Sequence, residues 1–298
     1  MIFNDPDRIA ALTPLNPFDR SEDGRPHVSD DLLKRLALVT NDEAWGTIEK
    51  GHDYHFQFEG DWMHLHDDVT LVGRAVTAAF VPIRPDLHDV VQGIGVAEGR
   101  DGGQNTWVID TLQPGDVLVV DLFGKIEDGT FIGDNLATAA RARTGTGMII
   151  NGGIRDYARV DELTDFPVYC RGVHPSAIKD MTLVQVNGPV RIGNATVMPG
   201  DAVLGTREGV TFIPPHLVQE VVEHSEDTRR RDVFGKLRLS ESRYTSGDID
   251  RSNWAEHIET DYRDWTTANP EQVDCGRYSE HPAFHRTGIA RDNRTIRL

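Results

Sequence analysis

Residues 133–156, GDNLATAARARTGTGMIINGGIRD, decide the fold of this chain. The Ala-rich stretch has the composition of a helix, and Gly145 is a typical residue to end one. The apolar run GMIINGG that follows predicts a short buried strand. Such a strand would return the chain to the loop where the segment began, beside Asp134, and would end at Arg155 and Asp156. The same pattern also fits a loop, a helix and a strand that only pack, because buried strands often end in an Arg-Asp pair.

Helices and strands are predicted to alternate on both sides of this segment. TLVGRAVTAAFVP (70–82), DVLVVDLFG (116–124) and FPVYCRG (166–172) are typical of strands, and DLHDVVQGIGVA (86–97) of a helix. Residues 183–214 carry the turn signals NG, GN, PGD and REG, which predict a series of hairpins. We therefore expect a mixed α/β domain.

Three regions are predicted along the chain. Residues 1–28 hold Pro6, Pro14, Pro17 and Pro26 among charges, which predicts an extended arm laid over a neighbouring surface. The α/β domain is expected over residues 29–247. Residues 248–298 are too few and too polar to bury a core of their own, so we expect them to dock on their own domain or on a neighbouring subunit.

The composition excludes several classes of protein. The 298 residues have a formal net charge of -17, which disfavours binding to nucleic-acid phosphates. No apolar run approaches the length of about 18 residues that a membrane span needs, and no secretory signal is visible, so the cytoplasm is the expected location. The two cysteines, Cys170 and Cys275, provide neither a disulfide framework nor a CxxC metal site.

The candidate site residues share a chemistry of anions and metal ions. Free N–H groups of Asn135 and Leu136, after Gly133 at the start of a helix, suit a carboxylate. The planar guanidinium of Arg155 suits a carboxylate or an enolate oxygen. Asp156 offers hard oxygen to Mg²⁺, which takes few protein ligands and keeps several waters.

Several stretches together resemble the RraA-like proteins and, within them, the class II pyruvate aldolases that act on 4-hydroxy-4-methyl-2-oxoglutarate and 4-carboxy-4-hydroxy-2-oxoadipate. The stretches are LVGRAVTA, QPGDVLVVDLFG, PVRIGNATVMPGDAVLGTREGVTFIP, and the opening segment with its Asp-X20-Arg-Asp signature at Asp134, Arg155 and Asp156. The resemblance covers roughly residues 30–240. It implies a swivelling β/β/α domain that assembles as a homotrimer or a homohexamer.

The resemblance also implies a reaction and a role for each residue. A divalent metal, Mg²⁺ or Mn²⁺, would be held by Asp156 and waters, and a small 2-oxo acid would lie against Gly133, Asn135 and Leu136 with Arg155 on its oxygens. Asp134 would orient a water beside the metal. The implied activity is cleavage of a C–C bond in a 4-hydroxy-2-oxo acid through a pyruvate enolate, and the same chemistry would decarboxylate oxaloacetate.

Two other functions stay open at this stage. Some RraA-like proteins bind and restrain an RNA-degrading enzyme without catalysis. The residues beyond about 247 exceed the usual family core, and they keep open a dehydratase or hydrolase that acts on a sugar-derived 2-oxo acid. The family often has an acidic residue where this chain has Thr206.

Three further motifs are candidates of lower specificity. The histidines His52, His55, His64 and His66, followed by Asp67 and Asp68, fit either a transition-metal site or ordinary loop histidines. TGTG (144–147) lacks the lysine of a phosphate loop and is typical of a helix end and turn. HPSAIKD (174–180) fits a loop, or a loop that brings His174 or Lys179 to the far carboxylate of a substrate.

Overall fold

The structure, a computed structural model, describes residues 2–270. The helices are α1 Pro6–Leu12, α2 Asp30–Leu36, α3 Asn41–His52, α4 Pro85–Ala97, α5 Gln104–Ile109, α6 Asp134–Thr144, α7 Tyr157–Val160, α8 Val218–Ser240, α9 Ser246–Ile249 and α10 Glu256–Ala268. The strands are β1 Ile2–Phe3, β2 Phe58–Glu59, β3 Met63–Leu65, β4 Leu71–Pro82, β5 Asp116–Asp121, β6 Thr130–Ile132, β7 Gly147–Ile154, β8 Val168–Val173, β9 Met181–Val186, β10 Val190–Ile192, β11 Ala195–Val197, β12 Ala202–Thr206 and β13 Gly209–Ile213. The predicted mixed α/β class is confirmed.

Four parallel strands form the middle of the main sheet, in the order β4-β5-β7-β8. The antiparallel hairpin β12–β13 continues the sheet beyond the first half of β4, and β9 pairs with the second half of β4. Short β6 runs parallel to the end of β7. Because the middle strands are parallel, their carboxyl ends lie at one edge of the sheet.

Both faces of the parallel strands are buried, as is usual for parallel sheets. All eight residues of β7 are buried. Alternate side chains point to opposite faces, so Met148 and Ile150 join one apolar cluster while Ile149 joins another. The first cluster lies against helices α4, α5 and α6, and the second against β10, β11 and β13. Strand β7 is therefore held from both sides.

The N-terminal arm differs from the predicted extended segment. Its residues 6–12 form helix α1, capped by the Asp5 side chain, which accepts a hydrogen bond from the Arg8 N–H group. The arm also buries Arg25, which is 1% exposed and donates from both Nη atoms to Asp116 at 2.8 and 3.1 Å. The arm thus belongs to the packed core of the first unit, because a buried carboxylate at the start of β5 depends on it.

The chain divides into two compact units after Val222, within α8, whereas the sequence placed a boundary after residue 247. In the second unit, five buried side chains form a separate apolar cluster: Val233, Phe234, Trp254, Ile258 and Trp265. The residues after 247 are therefore stabilised by the second half of α8, which the sequence had assigned to the catalytic domain. Cys275 lies outside the described residues.

Two of the three consecutive arginines 229–231 in α8 are paired within the second unit. Arg230 contacts Asp227 at 2.7 Å, and Arg231 donates to Glu259 while its guanidinium stacks on the Trp254 ring at 3.9 Å. Within residues 2–270, none of the helices combines the length and the apolar character that crossing a membrane requires.

The ion pair of Arg25 gives a stability prediction. In Arg25→Met the Asp116 carboxylate, 2% exposed, loses its cation, and we expect a loss of roughly 3–5 kcal/mol in the free energy of unfolding. Urea unfolding measures the change. The matched control is Arg84→Met, which breaks an exposed ion pair with Asp86 and should leave the midpoint unchanged. Equal midpoints for the two variants would contradict the role given to Arg25.

Candidate active site

Strands β6 and β7 bring the two ends of the opening segment together. Ile132 pairs with Ile154, and the Arg155 N–H group donates to the Ile132 carbonyl at 3.0 Å. The chain leaves β6 through Gly133, runs along α6, and returns along β7 to Arg155. The predicted return of Asp134, Arg155 and Asp156 to one edge of the sheet is therefore what the strand pairing produces.

Gly133 lies in direct contact with the Arg-Asp pair. A Cβ atom built on Gly133 would lie 2.3 Å from Asp156 Oδ2 and 3.1 Å from Arg155 Nε. The backbone of Gly133 has φ -119° and ψ -166°, an extended conformation that any residue adopts. The requirement for glycine here is therefore one of space, because the carboxylate of Asp156 lies where a side chain would be.

Asp156 itself has an unusual backbone. Its φ of 55° and ψ of 36° lie in the left-handed region, where aspartate is more frequent than most residues. This turn ends β7 and starts the short α7. The Asp156 side chain is 39% exposed and lies 3.7 Å from Arg155 Nε, and no hydrogen bond to its oxygens exists among residues 2–270. Asp156 is thus an accessible carboxylate with free lone pairs.

Arg159, which the sequence did not single out, joins Asp134 to this turn. Its Nη1 atom donates to Asp134 Oδ2 at 3.0 Å, and its N–H group donates to the Asp156 carbonyl at 2.9 Å. The hydrogen bond from Arg159 lowers the pKa of the Asp134 carboxyl below its usual value, so Asp134 is ionised at neutral pH. The only feature of the sequence that could have pointed to Arg159 is its position three residues after Asp156.

The first turn of α6 offers fewer free donors than the sequence predicted. The Asn135 N–H group donates to Asp134 Oδ1 at 2.9 Å, so it already has an acceptor. The Leu136 N–H group has no acceptor within the described residues, and Gly133 provides no side-chain cap. Of the two predicted donors, only the Leu136 N–H group is therefore free within residues 2–270, because the Asn135 N–H group is already bound by Asp134 Oδ1.

The loop after β8 lies next to the Arg-Asp pair. The His174 N–H group donates to the Ile154 carbonyl at 3.1 Å, which places His174 beside Arg155. The Nδ1 atom of His174 accepts from the Ser176 N–H group at 3.2 Å, so the proton of the neutral ring is on Nε2. Lys179 pairs with Asp128 at 3.3 Å. Of the two candidates in this loop, His174 is the one that the strand pairing places at the site.

The four histidines of the second motif are not gathered at one site. His52 contacts Glu220, His55 contacts Glu49, and His64 lies against the Tyr169 ring. Within residues 2–270, no group of three or more His, Cys, Asp or Glu side chains is arranged to hold a metal ion. This agrees with ordinary histidines rather than a transition-metal site.

The TGTG stretch and Thr206 have structural roles. Residues 144–147 end α6, with Gly145 at φ 66° in the left-handed conformation that favours glycine, and start β7. The hydroxyl of Thr206 accepts a hydrogen bond from Asn41 Nδ2 at 2.8 Å, while the Thr206 carbonyl accepts from the Tyr169 hydroxyl at 3.0 Å. Thr206 thus links β12 to α3 and β8.

The donor set of the site fits a hard divalent cation. Mg²⁺ is commonly held by one or two carboxylates and completes its shell with water and substrate oxygens. Asp156 supplies one accessible carboxylate with unoccupied lone pairs, in the space that the missing Gly133 side chain leaves. A soft metal that needs several nitrogen or sulfur ligands does not fit this site.

Known proteins similar to this chain were found by sequence and by fold. A family model described as RraA-like, Aldolase/RraA, matches residues 40–212. A protein of Halalkalibacterium halodurans named as a candidate 4-hydroxy-4-methyl-2-oxoglutarate aldolase is 29% identical over 143 residues, which are 47% of this chain and 67% of that protein. A protein of Shewanella oneidensis with the same name is 34% identical over 98 residues, 33% of this chain and 58% of that protein.

The solved structure of RraAS2 from Streptomyces coelicolor is similar to this chain, with a TM-score of 0.60 and 25% identity. The match covers 71% of this chain and 100% of RraAS2, which is described as an unusual member of the RNase ES inhibitor RraA protein family. The fold of the matched part of this chain is therefore shared with a solved structure.

The link from Arg159 to Asp134 gives a prediction about charge. In Arg159→Ala the pKa of Asp134 should rise toward the ordinary aspartate value of about 3.9, because the hydrogen bond that lowers it is gone. Carbon-13 NMR of the aspartate carboxyl groups across a pH titration measures it. Arg141→Ala is the control: it should raise the pKa of Asp165 and leave Asp134 unchanged. An unchanged Asp134 in Arg159→Ala would refute the assignment.

Proposed function

This chain belongs to the RraA-like family, and we propose that it is a divalent-metal-dependent lyase that cleaves a 4-hydroxy-2-oxo acid to release pyruvate. The observation that carries the proposal is the contact of Gly133 with Arg155 and Asp156, which leaves a carboxylate and a guanidinium side by side and accessible. The names of the similar aldolases support the same reaction class.

The proposed reaction breaks the bond between C3 and C4 of the substrate. The 4-hydroxyl group loses its proton and becomes the carbonyl of one product, and the electron pair of the broken bond gives the enolate of pyruvate. Protonation of C3 then yields pyruvate. The same enolate arises when oxaloacetate loses CO₂, so decarboxylation of oxaloacetate is part of the proposal.

Arg155 is proposed to bind the oxygens of the 2-oxo acid. Its side chain is 44% exposed and directed to the edge of the sheet where Gly133 leaves space. A fixed cation stabilises the negative charge that develops on the enolate oxygen more than it stabilises the ketone. The Leu136 N–H group is proposed to bind the substrate carboxylate.

Asp134 is proposed to orient a water that accepts the proton leaving the 4-hydroxyl. It is ionised at neutral pH, the hydrogen bond from Arg159 lowers its pKa further, and it lies on the same loop as Gly133. A carboxylate with a lowered pKa is a weak base, so its task is better described as orienting the hydroxyl or water by accepting a hydrogen bond.

Asp156 is proposed to hold the divalent cation, with Mg²⁺ or Mn²⁺ as the expected metals. When bound, such an ion would supply Lewis-acid stabilisation of the keto and carboxylate oxygens.

We also propose that the protein works as a homo-oligomer, a trimer or a hexamer. Three apolar side chains near the carboxyl edge of the sheet are exposed: Phe123, Tyr157 and Val173, at 41%, 37% and 38%. Exposed apolar groups beside a site are typical of a surface that another subunit covers. Sedimentation velocity at several protein concentrations tests this assembly.

The decisive experiment measures pyruvate. We expect the purified protein to release pyruvate from 4-hydroxy-4-methyl-2-oxoglutarate with Mg²⁺ or Mn²⁺ present, to lose activity in EDTA, and to regain it when excess Mg²⁺ is restored. Asp156→Asn should need far more metal for half-maximal rate, since one ligand charge is lost. Absence of turnover with metal, across 4-hydroxy-2-oxo diacids and oxaloacetate, would refute the lyase.

Gly133→Ala tests the geometry of the site. The added methyl group would collide with Asp156 Oδ2 and displace it, and a misplacement of about 1 Å at a reacting centre commonly costs about 100-fold in rate. We expect kcat/KM for pyruvate release to fall by at least that factor while the thermal midpoint stays close to wild type. The control is Gly93→Ala, where a methyl group would have nothing within 4 Å. Full activity in Gly133→Ala would contradict the assigned contact.

A regulator of an RNA-degrading enzyme is the alternative function, favoured by the similarity to RraAS2. Under that alternative, the protein would co-purify with a ribonuclease and slow its cleavage of RNA, and Arg155→Ala would leave the inhibition unchanged. Under the lyase proposal, the same variant loses pyruvate release.

A further inference from the structure

A cavity in the first unit lies away from the candidate active site. Its volume is about 230 Å³, and it is formed by residues 12–16 of the N-terminal arm, the end of α3 and the turns around β12 and β13. An apolar cavity of roughly 150 Å³ is already large enough for a benzene ring. The space is therefore sufficient for a small organic molecule.

Strand register places this cavity at the opposite edge of the sheet from Gly133. Ala202 of β12 pairs with Arg74 of β4, and Arg74 pairs with Asp116 at the start of β5. The next residue of β5, Val117, pairs with Gly147 at the start of β7. Arg155 follows the other end of β7. At about 3.3 Å for each residue of a strand, β7 separates the two edges by roughly 25 Å.

The polar group that distinguishes the cavity is Asp201, in the second of two similar turns. QPGD ends at Asp116 and MPGD ends at Asp201. In each turn the first residue donates its N–H group to the aspartate Oδ2 atom at 2.8 Å. In each, the glycine has a positive φ, 82° in the first and 85° in the second. The two carboxylates are thus held by the same local geometry.

The partners of the two aspartates differ. Both are 2% exposed, and Asp116 is bound by the guanidinium of Arg25. For Asp201, the part of the chain from 2 to 270 provides no cation and no donor to the second oxygen. Burial raises the pKa of Asp201 to about 8. A buried carboxyl group normally has all its hydrogen bonds satisfied, so this one lacks a partner that its twin has.

Two more polar groups line the cavity among apolar walls. The Tyr54 hydroxyl and the His216 ring have no hydrogen-bond partner within residues 2–270, and their rings lie 6.3 Å apart. Burial lowers the pKa of His216, so its ring is neutral near pH 7. The remaining wall is mainly apolar: Leu12, Pro14, Leu15, Met198, Pro214 and Pro215. An apolar cavity with a few convergent polar groups is the usual form of a ligand site.

We propose that this cavity binds a small apolar molecule that carries one protonated amine, with Asp201 as its counter-ion once the carboxyl group has released its proton to solvent. The ammonium group takes the position toward Asp201 that Arg25 takes toward Asp116. The apolar part of the ligand lies against the proline and leucine side chains, and Leu15, 64% exposed, forms the rim. The site is independent of the proposed cleavage site.

Three isosteric probes test the choice of ligand: benzylammonium, benzyl alcohol and benzoate. Titration calorimetry with the full chain should show benzylammonium binding about tenfold or more tightly than benzyl alcohol, since a hydrogen bond to a charged group is worth that factor or more. Benzoate should bind weakest of the three. Equal affinity for all three, or no binding of the amine, overturns the proposal.

Two further measurements locate the probe. Asp201→Asn keeps the shape of the side chain and should abolish the preference for the amine over the alcohol, while pyruvate release stays unchanged. In wild type, benzylammonium should shift the methyl NMR signal of Met198, which lines the cavity, and leave that of exposed Met63 unchanged. An amine preference that survives in Asp201→Asn, or a Met198 signal that does not move at saturation, overturns the proposal.

Discussion

Burial of strand β7 on both faces is the constraint on which the rest of the first unit depends. A strand with no exposed residue has to be covered by helices on one face and by other strands on the second, and its hydrogen-bonding groups have to be paired on both sides. Apart from the buried amide of Asn151, which donates to Asp121 and accepts from Arg171, the residues along β7 are apolar or glycine, and the exposed polar side chains lie at its ends. The carboxyl end of β7 carries Arg155 and Asp156, and parallel β6 lies beside that end and places Gly133 against them.

The candidate site requires few structural features beyond this packing. The left-handed turn at Asp156 stops the strand and directs its carboxylate into the space beside Gly133. The same turn starts α7, which brings Arg159 to Asp134. Asp134, Arg155 and Asp156 thus come from two loops that the pairing of β6 with β7 holds in fixed positions. A site built at the end of a rigid strand retains its geometry better than one built on a long loop.

The sequence predicted the local and repetitive features well. Strands β4, β5 and β7 and helix α6 are marked by apolar runs and by a glycine end signal, so they follow from composition and spacing. The meeting of residues 133 and 155 was one of two interpretations of the spacing, and the pairing of β6 with β7 is what brings these residues together. Contacts that join distant segments were not predictable. The partner of Asp116 is Arg25, 91 positions away, and nothing in the proline-containing arm marks that arginine as buried.

The two compact units of the structure divide the chain at a different place from the predicted boundary, for a related reason. Helix α8 continues without interruption from Val218 to Ser240, so its sequence gives no sign that the packing changes at Val222. The change comes from what covers the helix: its second half contacts Trp254, Ile258 and Trp265, which lie beyond the turn that the sequence took as a boundary. Helical periodicity shows which face of a helix is buried, but it does not show which part of the chain covers that face.

The two PGD turns show the same limit for single residues: the local sequence does not reveal which distant segment will pack against them. Asp116 and Asp201 have the same neighbours in sequence, the same turn and the same burial, and local sequence therefore predicts the same electrostatic state for both. Their states differ because an arm more than ninety positions away delivers a guanidinium to one turn and apolar residues to the other. A carboxylate is part of the core where the chain supplies its cation. Where the described residues, 2–270, supply an open cavity instead, the same kind of carboxyl group is free to bind a cation from solution, as proposed for Asp201.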